Sequence, residues 1–435
     1  VSEAGDDPAD RALALRVYSS RLIGSDPDLV MHGGGNTSIK VTRPDLFGTD
    51  ERVLHVKGSG WDLDTILAPG LPGVRLDPLL RLRALDHLSD EDMVNVQRQN
   101  LLDSTAPNPS VETLLHAFLP HDVVDHTHAT PFLVLANLPN ATDIVRDIFG
   151  DRLGIVPYIM PGFALAKAAA DVFDRNPEVE GLLLLKHGHF AWGSTPRESY
   201  DLLVSHTNDV AEALGMTGST FADAPPPVAA PDQAASALTT LRGTLAGQDG
   251  RMPVLDLRTS EAISTFLSRG DTGDLAKRGT ASPDHVIRIK GGPVVFDIGD
   301  AANKIADAVA GFKKGYMSQF DAQNARVGGT KTMLSPAPNL AWVGGLGLVG
   351  IGASSNAAAI AADLGEQNIR VSDTAEALSR FEPIGPDDLF DMEYWSLEQA
   401  KLGKARAPTF QGRIVMVTGG AGAIGLATAR AFAEE

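Results

Sequence analysis

The sequence predicts an α/β fold, and three observations predict it. Short apolar, β-rich runs alternate with stretches of helical spacing between about residues 11 and 214. Glycine turns follow several of those runs, at Gly33-Gly34-Gly35, at Gly58-Ser59-Gly60 and at Gly188. A stretch rich in Pro and Ala, 217–235, separates this segment from a second of similar character. With 435 residues and about 150 per domain, roughly three domains are expected.

Residues 11–23 (RALALRVYSSRLI) carry apolar side chains at helical spacing and read as the first helix. A first strand, 39–41, follows the turn His32-Gly33-Gly34-Gly35-Asn36-Thr37-Ser38. A second, 53–56, ends in Lys57-Gly58-Ser59-Gly60. Ser110 is a good N-cap for a helix over 111–119. A strand over 123–130 comes next. The leucine run 182–185 reads as a buried strand entering His187-Gly188, with a helix over 196–214 after it. The expected domains are therefore 1–216 and 236–400, joined by a linker at 217–235. A polar linker, 401–412, leads to a last unit, 413–435.

Composition narrows the function. Hydrophobic residues make up 43% and charged residues 21%, as in ordinary globular proteins. No apolar run approaches the about 20 residues that span a bilayer. The N-terminus carries Glu3, Asp6 and Asp7 and no basic region, so no secretory signal is expected. There is no cysteine, which excludes thiolate catalysis and Cys-ligated metals and fits a cytoplasmic protein. A net charge of −18 argues against nucleic acid as a partner. An anionic substrate then needs a local pocket of amides or cations.

His126 and His128 are two apart on an expected strand. Such side chains share a face about 6.5 Å apart, so both imidazoles can reach one ion. Alone, a His-x-His pair is more often two polar groups on a solvated face. A third histidine, His187, at the end of a buried strand and backed by Gly188, shifts the balance. Three histidine ligands leave a coordination position open, the catalytic pattern for zinc. Glu112 starts a helix, where an acid ordinarily serves the helix dipole. Near a cation it can also shuttle a proton to and from carbon. Gly35-Asn36, Ser59-Gly60 and Ser110 offer amides and hydroxyls for a phosphate. His116, four residues from Glu112, could orient it, though a core or surface role is the commoner one.

Read in order, Gly35-Asn36, Ser59-Gly60, Ser110-x-Glu112, His126-x-His128 and His187-Gly188 resemble the class II aldolase/adducin family over residues 11–214. The resemblance implies a three-layer αβα domain. It implies a zinc ion, or another divalent metal, on His126, His128 and His187, with Glu112 as the proton-shuttling acid/base. Gly35, Asn36, Ser59, Gly60 and Ser110 would hold a substrate phosphate. Val111 stands where fuculose-phosphate aldolases carry a second serine, which removes one phosphate contact. The family also implies a homo-oligomer acting on a small sugar phosphate. An epimerase or dehydratase on the same scaffold is the alternative; a non-catalytic adducin-like scaffold is another, although adducin-like domains lose the ligands kept here.

Two further patterns lie downstream. Asp284-His285-Val286-Ile287 matches Asp125-His126-Thr127-His128, and at the same offset Leu346-Gly347 falls on His187-Gly188 and Gly352 on Gly193. The second domain is then either a degenerate copy of the first, with ligands replaced by Ile287 and Leu346, or a chance match of two strand-turn-strand units. Residues 413–417 read as a strand running into Thr418-Gly419-Gly420-Ala421-Gly422-Ala423-Ile424-Gly425 and a helix from 426. This resembles the short-chain dehydrogenase fingerprint, in which Gly419, Gly422 and Gly425 let the backbone meet an NAD(P) pyrophosphate. The Tyr-x-x-x-Lys catalytic pair is absent, so only the first βα unit of a Rossmann domain is expected here, with NAD(P) belonging to a full-length dehydrogenase. Gly345-Leu346-Gly347-Leu348-Val349-Gly350 mimics a nucleotide motif but reads better as a hairpin turn. Together with His32–Ser38 and Tyr394-Trp395-Ser396-Leu397-Glu398-Gln399-Ala400, these segments resemble bifunctional rhamnulose-1-phosphate aldolase/alcohol (lactaldehyde) dehydrogenases. That resemblance implies cleavage of the ketose 1-phosphate to dihydroxyacetone phosphate and lactaldehyde.

Overall fold

A computed structural model describes residues 7–216, 231–247, 251–399 and 409–434. They form two compact units. The first combines the N-terminal half of the chain with two later segments, Ala281–Asp284 and Arg370–Ile384. No described helix is long and apolar enough to cross a membrane.

The first unit is built on seven strands: β1 (Asn36–Pro44), β2 (Asp50–Val56), β3 (Gly73–Arg75), β4 (Val123–Thr127), β5 (Leu153–Val156), β6 (Gly181–Leu184) and β7 (Gly188–Gly193). Their spatial order is β3-β2-β1-β4-β7-β6-β5, and only β5 and β6 pair in parallel. Strand β4 lies at the centre, with Asn36 of β1 opposite His126 on one side and His189 of β7 opposite Thr127 on the other. Successive side chains of a strand point to opposite faces. Leu183 accordingly enters one core and Leu182 and Leu184 the other. Helices Pro8–Gly24, Thr130–Ala136 and Pro196–Ala213 cover the first face; Leu76–Leu82, Thr113–Phe118 and Phe163–Arg175 cover the second. This is the three-layer α/β domain the sequence predicts. The central strand is shorter than expected: Ala129-Thr130-Pro131 opens a helix, so His128 lies just beyond β4.

Asp125 of β4 faces the opposite side from His126 and meets Arg16 of the first helix at 2.8 Å, both side chains fully buried. Ser199 Oγ donates to the other carboxylate oxygen at 2.6 Å. The Arg16 terminal nitrogens lie off the hydrogen-bond line to Asp125, so the attraction is mainly Coulombic.

The second unit contains β8 (Val254–Arg258), β9 (Val294–Asp297), β10 (Leu340–Gly344) and β11 (Gly347–Gly352), in the order β8-β11-β10-β9. β9 and β10 are parallel and the other pairs antiparallel. That is the order and sense of β4-β7-β6-β5. Helix Ala302–Arg326 joins the parallel pair, as Phe163–Arg175 does in the first unit. Each hairpin turns through a residue of positive φ, Lys186 (60°) in one and Gly345 (74°) in the other. Gly345–Gly350 is thus a hairpin, as its sequence suggests.

One expected match is corrected. Asp284–Ile287 lies in a helix, Pro283–Ile289, and not in a strand. Val286 and Ile289 are fully buried while Ile287 is exposed, a spacing of three that suits a helix. Register instead sets Asp256 opposite Gly350, as Asp125 lies opposite Ala191. By that register the positions of His126, His128 and His187 are held by Leu257, Thr259 and Leu346.

Of the expected linkers, 217–230 and 401–408 lie outside the described residues. Residues 231–235 begin a helix, Pro231–Thr244, with proline in its first turn. The strand expected at 413–417 is not formed. A strand requires a partner, and no described strand pairs with it; Ile414 and Met416 are 74% and 89% exposed. The glycine turn after it does form. Gly419 adopts φ 68°, and helix Ala423–Glu434 follows.

Removing Asp125 leaves the Arg16 guanidinium buried without its counter-charge. Asp125→Ala is expected to cost about 3 kcal/mol or more of unfolding free energy. Urea denaturation of the metal-free protein measures it; a loss below about 1 kcal/mol contradicts the role assigned to the pair.

Candidate metal centre

The side chain of His126 leaves β4 toward the second face, stacked on Phe190 of β7 at 4.1 Å between ring centroids. His128 follows from the coil just after the strand. His187 comes from the turn joining β6 and β7. Their nitrogens converge: one from each of the three rings lies within 4.8 Å of the others, and all three residues are buried. The Nε2 atoms of His126 and His128 are 3.0 Å apart. Nitrogens on a tetrahedral zinc at about 2.0–2.1 Å are roughly 3.3 Å apart. Gly188 makes this approach possible, because a Cβ there would lie 2.8 Å from His128 Cδ2 and 3.0 Å from His126 Cε1.

The other ring nitrogens fix the tautomers. His126 Nδ1 donates to the His189 carbonyl at 3.0 Å, and His128 Nδ1 donates to the Asp284 carboxylate. In the neutral rings both Nε2 atoms then present lone pairs. Glu112 Oε2 lies 3.5 Å from His126 Nε2, and Oε1 lies 3.4 Å from His187 Nε2 without a hydrogen-bond partner of its own. Three imidazoles and a carboxylate thus meet in one buried space, with Glu112 Oε1 left without a hydrogen-bond partner. A divalent cation satisfies that arrangement, and the donor set of three neutral imidazoles suits zinc.

Burial lowers the pKa of His126 well below the ordinary value and that of His187 to about 3. Burial also acts on His128, but the adjacent Asp284 carboxylate outweighs it and raises that pKa. Burial lowers His116 and His189 as well.

Glu112 caps the helix Thr113–Phe118. Ser110 is not the N-cap; its Oγ accepts the Glu112 N–H at 3.2 Å. Glu112 Oε2 accepts from Asn36 Nδ2 at 2.7 Å, and the same amide nitrogen reaches Ser110 Oγ at 3.2 Å. Asn36 Oδ1 accepts from His116 Nε2, whose Nδ1 then accepts from Ser38 Oγ at 2.7 Å. Ser38, His116 and Asn36 form a buried chain that orients the carboxylate. His116 thereby exceeds the core or surface role expected of it, and Asn36 is engaged with Glu112 rather than free for a phosphate. Their spacing in sequence could not show this, because the chain crosses from β1 to a helix.

The turn before β1 is held from inside. Lys57 Nζ donates to the carbonyls of Gly33 and, at 2.9 Å, Gly35. A Cβ at Gly35 would meet the His126 carbonyl. The loops after β2 and before Glu112 are zipped together by Ser59 N–H to Asn108 O (2.7 Å) and Ser110 N–H to Lys57 O (3.0 Å). Gly35, Asn36 and Ser110 so gather beside Glu112, with Ser59 and Gly60 exposed on the adjoining loop. Gly419, Gly422 and Gly425 belong to the second compact unit.

Residues 16–212 match the family model described as the class II aldolase and adducin N-terminal domain, and 232–402 match the model described as the second domain of class II aldolase. Across 433 residues, 96% of the chain, it is 33% identical to the uncharacterized oxidoreductase YuxG of Bacillus subtilis, and the match covers 62% of that protein. Over 131 residues, 26% of the chain, it is 27% identical to the methylthioribulose-1-phosphate dehydratase of Yersinia enterocolitica, again covering 62% of the relative. The chain therefore spans about three fifths of the length of the curated relatives it matches. The solved N-terminal class II aldolase domain of a Thermoplasma acidophilum protein is 41% identical, with 48% of this chain and 93% of that one covered and a TM-score of 0.44. The first domain of the chain is of the class II aldolase/adducin type.

Buried neutral histidines make the metal-free fold sensitive to acid. A group whose pKa falls on folding takes up a proton when the chain unfolds, at any pH between its folded and unfolded values. His116, His126, His187 and His189 thus contribute fully above about pH 6.5, and their contribution shrinks as pH falls below it; His128 opposes them. Each adds up to about 1.4 kcal/mol per pH unit. Urea midpoints of the metal-free protein should fall steeply from pH 6.5 to 5, and a flat profile contradicts the assignment of buried neutral rings.

Proposed function

We propose that this class II aldolase-type chain binds one divalent cation, zinc before others, through His126, His128 and His187, and cleaves a ketose 1-phosphate of the rhamnulose 1-phosphate type. The products are dihydroxyacetone phosphate and lactaldehyde. The observation that carries the reading is the convergence of three imidazole nitrogens with the unpartnered Oε1 of Glu112. A cation held there supplies Lewis acidity toward the substrate's carbonyl and neighbouring hydroxyl oxygens. Glu112 moves the proton on carbon: in the cleavage direction the hydroxyl that becomes the aldehyde gives up its proton as the carbon–carbon bond breaks, and Glu112 delivers a proton to the carbon that loses that bond; condensation reverses both transfers. Asn36, braced by His116 and Ser38, keeps Oε2 fixed so that Oε1 faces the reacting carbon. The amides and hydroxyls at Gly35, Ser59, Gly60 and Ser110 bind the phosphate.

A second reading is supported by the likeness to a methylthioribulose-1-phosphate dehydratase. On the same residues, Glu112 would take a proton from carbon beside the carbonyl while a hydroxyl leaves as water. The oxidoreductase name of the Bacillus relative, with the Gly419, Gly422 and Gly425 turn, supports an NAD(P)-linked activity for the whole protein. The described residues supply that turn and one helix but no sheet, so no hydride step is derived from them.

About one zinc per chain is expected in the purified protein, with chelator-sensitive release of dihydroxyacetone phosphate from rhamnulose 1-phosphate. Metal without carbon–carbon cleavage, but with loss of water from a ketose 1-phosphate, favours the dehydratase; no metal removes the site. Glu112→Gln should keep its metal and lose about a hundredfold or more in kcat. Equal turnover by that variant would take Glu112 out of the proton transfer.

A further inference from the structure

We infer that Asp284 is a positioning residue of the metal centre, holding His128 in the tautomer and orientation that aim Nε2 at the cation; this rests on the three-histidine site proposed above. His128 is the ligand in most need of an anchor. It lies beyond the end of β4, so strand pairing does not fix its backbone as it fixes that of His126. The three rings are also held differently. His126 gives its second N–H to a backbone carbonyl, and His187 Nδ1 has no hydrogen-bond partner. His128 alone of the three gives its Nδ1–H to a carboxylate. A ligand histidine backed by a carboxylate is fixed in its tautomer and is a stronger donor to the metal.

The surroundings are shaped for that carboxylate. A Cβ at Gly34 would overlap the Asp284 carboxylate, so the glycine turn before β1 leaves room for it. Asn137 Nδ2, at the end of helix Thr130–Ala136, donates to the Ala281 carbonyl at 2.9 Å and ties down the segment that carries Asp284. Ala281–Asp284 packs within the first compact unit, although residues 232–402 match the second-domain model. A residue outside the stretch matched by the N-terminal-domain model thus completes the surroundings of that domain's metal ligand. In the sequence Asp284 stood only as a match to Asp125, which the helix at Pro283–Ile289 removes.

The test uses the full chain with Asp284→Ala and Asp284→Asn. Zinc affinity is measured by competition with a chromophoric chelator. The visible spectrum of the cobalt-substituted protein reports ligand geometry, and melting temperature is taken with and without metal. Asp284→Ala should bind zinc about 10- to 100-fold more weakly, with a changed cobalt spectrum and a smaller gain in melting temperature on metal binding. Asp284→Asn, which keeps an acceptor but no charge, should fall between it and the unaltered protein. Wild-type affinity and spectrum in both variants overturn the inference while leaving the site intact. So does a lowered metal-free melting temperature whose gain on metal binding matches that of the unaltered protein. A wild-type chain that binds no zinc overturns the site and the inference together.

Discussion

Three imidazoles and a carboxylate gathered in one buried space are the constraint around which the first domain is arranged. Imidazole nitrogens and a carboxylate repel one another in a buried space. A cation removes that repulsion; until one arrives, the surrounding structure must hold the groups in place. The centre of a seven-stranded sheet does so. β4 is paired on both flanks, His187 is carried on a tight hairpin, and Gly188 lets the rings approach. Asp125, on the reverse side of the strand from His126, locks the sheet to the first helix through a buried ion pair. The strand that bears a ligand on one face thus bears its main electrostatic anchor on the other.

The second unit isolates what the scaffold does without the chemistry. Its four strands repeat the order and sense of β4-β7-β6-β5, down to the positive φ in the hairpin. Leu257, Thr259 and Leu346 occupy the register of the three histidines. Leu346 joins the core of that unit and Leu257 packs against it. The same half-sheet therefore forms with or without histidines at these positions, so the three histidines reflect demands other than folding.

The three histidines and Glu112, which the fold brings together, could be singled out because each carries a local signature: a two-residue strand period, a histidine before a glycine at a strand end, an acid at a helix start. The α/β character was legible from alternation, and the three layers from the family resemblance. What escaped depended on contacts between distant segments. Asn36 looked like a phosphate donor until its amide was seen to brace Glu112, and His116 looked ordinary because its partners lie on β1. Matching letters misplaced Asp284–Ile287, since a tetrapeptide shared with a strand says nothing about pairing. Residues 413–417 have the composition of a strand, and composition cannot supply the neighbour that a strand requires.

The passage of the chain through Ala281–Asp284 and Arg370–Ile384 changes what counts as a module here. Lys186, next to His187, donates to the carbonyls of Glu382 (2.7 Å) and Pro383 (3.2 Å). A gene segment ending at the proline-rich stretch would carry all three clustered histidines and still leave these supports behind. The first domain is contiguous as a sequence motif but discontinuous as a folded object. Recombination, in nature or in the laboratory, would have to move both halves together to move the centre whole.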